Sequence, residues 1–289
     1  MKALLLAVVL VPIAVAAGAQ EAGEAAPAAP LVRAAYRHTF GGSGYSGNRA
    51  SLSLGDRWRA QVSYSDSISA GSTDTTRTLG ARLGFQGESL SANVSASITP
   101  VVSDYRARGG GVDAAWAFAG DGDEAAFEEA EIGLGWTYTR HQQETPSRLG
   151  VAFPPLVTQQ NDYFVHSSLT AWRTTVSGDY FRSYYDRNVR AVARVARNRP
   201  PLAGLSDLFE SFPRSGGSVR LDGEWWKSVT PFVAWSVIDY IVPLPESQTW
   251  GAGVTGRWGR WSAEASYERV VQSGQAGSNY VTLGGGARF

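Results

Sequence analysis

The residues from 279 to the last, Phe289, place Val281, Leu283, Gly285, Ala287 and Phe289 at alternate positions, so that all five share one face of an extended strand. The same two-residue period recurs upstream. Ala130, Ile132, Leu134, Trp136 and Tyr138 alternate with Glu129, Glu131, Gly133, Gly135, Thr137 and Thr139, and Leu90, Ala92, Val94, Ala96 and Ile98 alternate with Ser91, Asn93, Ser95, Ser97 and Thr99. Segments of about ten residues that alternate in this way, separated by turn residues, predict about fourteen strands. Their expected spans are 32–40, 48–54, 57–66, 76–86, 89–100, 108–119, 127–140, 161–171, 173–185, 216–226, 230–241, 249–258, 260–271 and 279–289. A soluble sandwich would bury the apolar face and wet the polar one. A closed transmembrane barrel inverts that assignment, with the apolar face toward lipid and the polar face toward the lumen.

The amino terminus supports export. Lys2 precedes an apolar run from Ala3 to Ala16, and Ala17 and Ala19 fit an A-x-A cleavage site before Gln20, so residues 1–19 read as a secretory signal peptide. The run is shorter than the roughly 20 residues that a membrane helix needs. Residues 20–31, rich in Ala, Glu and Pro, read as a disordered periplasmic tether, and residues 32–289 as one barrel domain. Cysteine is absent, which excludes disulfides, thiolate metal sites and a lipid-modified cysteine. Lys and Arg total 26 against 26 Asp and Glu, a balance that argues against a nucleic-acid partner.

Connection lengths and aromatic placement both agree with a barrel. Gly55-Asp56, Gly87-Glu88, Trp172, Lys227-Ser228 and Gly259 mark tight turns and 120–124 a slightly longer one, while 41–47, 67–75, 101–107, 141–160, 186–215, 242–248 and 272–278 form loops on the other side. Short periplasmic turns opposite long extracellular loops is the barrel rule, and an even strand count returns both ends of the chain to the periplasmic side. Trp58, Phe85, Phe118, Trp172, Trp225, Trp258, Trp261 and Phe289 fall at the periplasmic strand ends. Tyr36, Phe40, Tyr64, Tyr138, Tyr163, Tyr180, Tyr184, Tyr240, Trp250 and Tyr267 fall toward the outer ends, giving two interfacial girdles.

With alternation, girdles, signal peptide and terminal Phe289 together, the whole mature chain resembles a Gram-negative outer-membrane β-barrel. Its size and strand count are similar to those of monomeric fourteen-stranded porins of the outer-membrane protein G type. The resemblance implies passive diffusion of small hydrophilic solutes, outer-membrane lipid and lipopolysaccharide as surroundings, and the barrel assembly machinery as a partner during biogenesis. Phe289 would then be the assembly signal.

A barrel of this size leaves room for water. Ser63, Gly80, Gly84, Ser95, Ser97, Gly133, Gly135, Gly251, Gly253, Gly284 and Gly286 make the expected lumen wall small, and no segment of plug-domain length precedes the first strand. Charges on the expected lumen face are uneven. Arg33, Arg37, Arg49, Arg57, Arg59, Arg82, Arg257 and Arg288 form a basic wall once the barrel closes, and Asp113, Glu129, Glu131, Asp179, Asp222, Glu224, Asp239, Glu264 and Glu268 an acidic one, interrupted by Arg220. Walls of opposite sign set up a transverse field that selects ions by charge, whereas local pairing of the same residues would only keep the lumen wet. In the 186–215 loop, Arg187, Arg190, Arg194 and Arg197 share one stripe if helical. That stripe suits an inward-folded constriction, a clamp on lipopolysaccharide phosphates, or a plain solvated extension.

Two further classes stay in view. His166 and Ser168 on one strand face resemble the His and Ser arrangement of outer-membrane phospholipase A, with Asp179 on the next strand as orienting acid. The expected face is the lumen, however, whereas that enzyme presents its pair to lipid, so no catalytic residue is assigned. A scaffold barrel around a secretion or electron-transfer partner is the other class. Three scattered histidines make no metal site, and no C-x-x-C-H haem motif occurs, so no cofactor is expected.

Overall fold

The computed structural model describes residues 32–68, 74–102, 104–120, 127–144, 155–187, 189, 212–241, 245–274 and 276–289. The expected signal peptide and tether lie outside these residues, as do Arg190, Arg194 and Arg197 of the basic stripe.

Fourteen strands form one closed antiparallel barrel in sequence order. They are β1 (Val32–Gly41), β2 (Ser46–Leu54), β3 (Trp58–Ile68), β4 (Thr75–Gln86), β5 (Leu90–Val102), β6 (Tyr105–Ala119) and β7 (Glu129–Gln143). Then follow β8 (Leu156–Ala171), β9 (Thr174–Tyr185), β10 (Pro213–Gly223), β11 (Val229–Tyr240), β12 (Ser247–Trp258), β13 (Trp261–Gln272) and β14 (Ser278–Arg288). Closure comes from β1 pairing with β14, from Arg33↔Arg288 to Gly41↔Tyr280. The seam is finished by Val32 N–H donating to Phe289 O at 3.1 Å and Phe289 N–H donating to Val32 O at 2.9 Å. In hydrocarbon an unpaired backbone group costs several kcal/mol, so a wall without an edge is the only sheet that tolerates lipid on its outside.

The apolar stripe of each strand faces outward. Val62, Leu83, Val94, Leu134, Val165 and Leu283 are all exposed, and among the described residues few apolar side chains are buried, unlike the core of a soluble sandwich. Both expected aromatic girdles lie on this outer surface except for Tyr240, which alternation places on the lumen face of β11 beside outward Val237 and Asp239. Gly55 opens the β2–β3 turn at φ 99°, where a side chain would collide with the Trp58 carbonyl. The β8–β9 turn sets Trp172 and Arg173 at φ 51° and 59°, the left-handed geometry that a two-residue hairpin requires.

The expected 141–160 loop contracts to 144–155, because β7 runs on to Gln143 and β8 starts at Leu156, and three further stretches differ from expectation. The expected 101–107 loop contracts to residues 103–104, because β5 continues past Pro100 through a register shift between Thr99 and Val102. A bulge needs no N–H at that position, so proline is tolerated there. Strand β10 starts at Pro213 and ends at Gly223, each end about three residues earlier than the 216–226 expected. The β6–β7 connection spans 120–128, so the rim holding the chain ends is not uniformly tight.

Candidate functional site

Inward-facing side chains follow from the pairing. On the arc formed by β12, β13, β14, β1, β2 and β3, the lumen face carries Arg257, Arg288, Arg33, Arg37, Arg49 and Arg59, with Glu264 and Glu268 among them. Arg82 on β4 also faces inward. Arg57 sits in the β2–β3 turn, where strand alternation no longer sets the direction of its side chain. On the remaining arc Asp113, Glu129, Glu131, Asp179 and Asp222 face the lumen, and Arg220 lies among them.

Two expected members of the acidic wall are displaced. Glu224 falls in the β10–β11 turn, beyond the end of β10. Asp239 pairs in register with Ser215 and shares the outer face with Val233, Trp235 and Val237, where Arg214 forms its ion pair across the bulge at the start of β10.

Several lumen charges are neutralised locally. Arg37 donates to Glu264 at 2.5 Å, Arg82 reaches Asp113 at 3.3 Å, and Asn93 Nδ2 donates to the same Asp113 at 2.7 Å. Arg220 is held by Asp222 at 2.6 Å and lies over the Phe232 ring, 3.7 Å from its centroid. Among the described residues, Arg33, Arg49, Arg59, Arg257 and Arg288 form no ion pair, and all five lie within the arc from β12 to β3 that spans the β1–β14 seam. Arg33 is opposite Arg288, and the Nε groups of Arg33 and Arg59 are buried without a hydrogen-bond partner. Net positive charge thus concentrates on one arc.

Glycines on the lumen wall make room for rings. A side chain at Gly133 would collide with the His166 imidazole, and one at Gly135 with the Phe164 ring. Gly216 lies under Phe181 and Gly253 under Phe232, where an added Cβ would stand 2.5 and 2.6 Å from ring carbons. These glycines seat neighbouring rings against the wall, whereas residue size alone reads as a bare lumen. The signal is present in the sequence only as a glycine that comes opposite an aromatic once the register is known.

The end of the barrel that carries the long connections is partly filled. Phe212, the residue before β10, is 4 % exposed and packs against the lumen-facing rings of Tyr185 and His141, with centroids 5.2 and 4.8 Å away. A hydrogen-bonded chain runs beneath it: Tyr105 Oη to His141 Nδ1 at 2.7 Å, His141 Nε2 to Gln160 Oε1 at 2.9 Å, and Gln160 Nε2 to Asp162 at 2.8 Å. Of the basic stripe only Arg187 is described, after the end of β9.

His166, Ser168 and Asp179 all face the lumen without assembling a relay. His166 Nε2 is 3.2 Å from Glu131, and Asp179 accepts from Ser218 Oγ at 3.0 Å. Ser168 stands opposite Glu131 and Ser177 and makes no hydrogen bond to His166 among the described residues. A base held by one carboxylate and a serine held by neither gives no activated nucleophile.

No family model matches the sequence, and no curated protein matches it. Among solved structures the fold is similar to that of the toluene transporter TodX of Pseudomonas putida, at 10% identity and a TM-score of 0.51 over 91% of this chain and 90% of that one. It is also similar to the outer membrane protein Omp33 of Acinetobacter baumannii (8% identity, TM-score 0.46, 90% and 99% covered) and to the KdgM porin (8%, 0.45, 89% and 99%). The chain therefore has the fold of a porin-like outer-membrane β-barrel.

Proposed function

We propose that this protein is a porin-like channel of the bacterial outer membrane, passing small hydrophilic solutes or ions by passive diffusion. The start of β1 at Val32 and the C-terminal Phe289 would face the periplasm, and the rim bearing the 144–155 and 186–212 connections would face outward. The observation that carries the reading is the charged inner wall of a closed fourteen-strand barrel, on which five arginines form no ion pair among the described residues. In a low-dielectric surround such a one-sided charge raises the local concentration of anions.

Liposome swelling tests the reading without an applied voltage. Vesicles carrying the mature chain should swell faster in small sugars and amino acids than empty vesicles, with rates falling as solute size rises. Swelling equal to that of empty vesicles would contradict passive diffusion and favour a scaffold barrel around a periplasmic or surface partner.

A further inference from the structure

Arg108 on β6 and Arg140 on β7 are direct register partners on the outer face of the barrel. They share that face with exposed Val112, Trp116, Leu134 and Trp136. Like charges placed directly opposite across two strands are destabilising. Among the described residues no carboxylate relieves this pair. The outward positions of β5 to β8 carry none, and the rim residues Asp104 and Glu144 form no ion pair with either arginine. Arg140 Nε is buried without a hydrogen-bond partner. Arg106, one outward step further along, faces Gln142, and Gln159 lies beside Arg140 on β8.

Depth supplies the second observation. Arg140 lies four residues beyond Trp136 toward the rim with the long connections, which is about 13 Å along a strand. Trp136 belongs to the outer aromatic zone with Tyr163, its register partner. The arginine pair therefore lies at headgroup depth, just past the hydrocarbon. The distribution repeats around the barrel: the outward-facing strand arginines Arg77, Arg106, Arg108, Arg140, Arg182 and Arg269 all lie in this half. Arginine's planar fork bonds phosphate oxygens bidentately, and two facing forks without a carboxylate match one dianionic group.

We propose that Arg108 and Arg140, flanked by Arg106 and Gln159, bind a phosphate of the glycolipid that fills the outer leaflet, with the acyl chains lying along Trp136 and Leu134. The inference rests on the outer-membrane placement proposed above but not on conduction. Arginines that face lipid at headgroup depth meet a lipid phosphate, so the occupant is the lipid rather than a free anion.

The test is retention of bis-phosphorylated lipid A by the purified, folded mature chain through gel filtration. Dephosphorylated lipid A and inorganic phosphate serve as the comparison ligands. Replacing both residues, Arg108→Gln with Arg140→Gln, should weaken lipid A binding roughly tenfold or more, the scale of lost charge-assisted hydrogen bonds. Arg108→Gln alone should give a smaller loss, and it carries the test if the double variant does not reach the heat-modifiable folded form. Lumen variants Arg33→Gln and Arg288→Gln should leave binding unchanged. Undiminished binding in the variants, or equal binding of dephosphorylated lipid A, would overturn the proposal. Full displacement by inorganic phosphate would overturn the assignment to lipid. The double variant should conduct like the unmodified protein, so loss of lipid binding and failure of the channel reading separate.

Discussion

The Phe212 ring stacks on Tyr185 with planes 11° from parallel, and it also lies 4.8 Å from the His141 ring on β7. A side chain that bridges lumen-facing positions of β7 and β9 occupies cross-section that the wall would otherwise leave to water. Because Phe212 also ends the long β9–β10 connection, its packing ties that connection to the inside of the mouth. Replacing it, Phe212→Ala, should raise single-channel conductance and increase open-channel noise. Unchanged conductance would show that the ring lies outside the solute path.

The lumen arginines should not contribute equally to ion selection. Arg33 and Arg59 have no ion pair, Arg82 is held by Asp113, and Arg57 lies in a turn. Charge reversal at Arg33 and Arg59 should move the reversal potential toward cations, reversal at Arg57 should do little, and Arg82→Glu should fall between. Equal shifts from Arg57 and Arg59 would mean that selectivity is set at the rim rather than on the wall.

Ring seating makes two glycines structural. Gly135→Leu would drive a side chain into Phe164, and Gly133→Val into His166. Each should cost about 1–3 kcal/mol through overpacking, seen as a lower temperature for losing the heat-modifiable folded form. A milder Gly284→Ala, whose Cβ meets Arg37 Cγ and the Tyr36 carbonyl oxygen at 3.3 Å, should cost less than either by the same assay. Equal effects at all three would refute the seating argument.

Phe289 is 58 % exposed, and its backbone completes the β1–β14 seam by exchanging hydrogen bonds with Val32. Deleting it removes both bonds and the terminal aromatic of the outward stripe. Assembly into bacterial membranes should slow and the unfolded fraction rise. Normal insertion kinetics would argue against a role as assembly signal.

Much of this architecture was legible in the sequence because a two-residue period binds each strand's register to its environment. The strand count and most spans follow from alternation alone. The β5 extension was hidden by Pro100, which reads as a strand end unless a bulge accommodates it. Asp239 was hidden differently: a charge on a barrel strand suggests the lumen, yet near a rim the outer face is already wet and Arg214 is in reach. Pairings such as Arg37 with Glu264, 227 positions apart, depend on closure across β14 and leave no local trace. Phe212 likewise gains its role only from strands that meet it in space.

Single-channel recording in planar bilayers, with a salt gradient across the membrane, tests the central claim most directly. The mature protein should give discrete ohmic steps, with a reversal potential that favours anions because the unpaired arginines Arg33, Arg49, Arg59, Arg257 and Arg288 crowd one arc of the lumen. A folded, heat-modifiable protein that gives no steps would contradict a channel, and steps with cation preference would contradict the basic arc as its selecting surface.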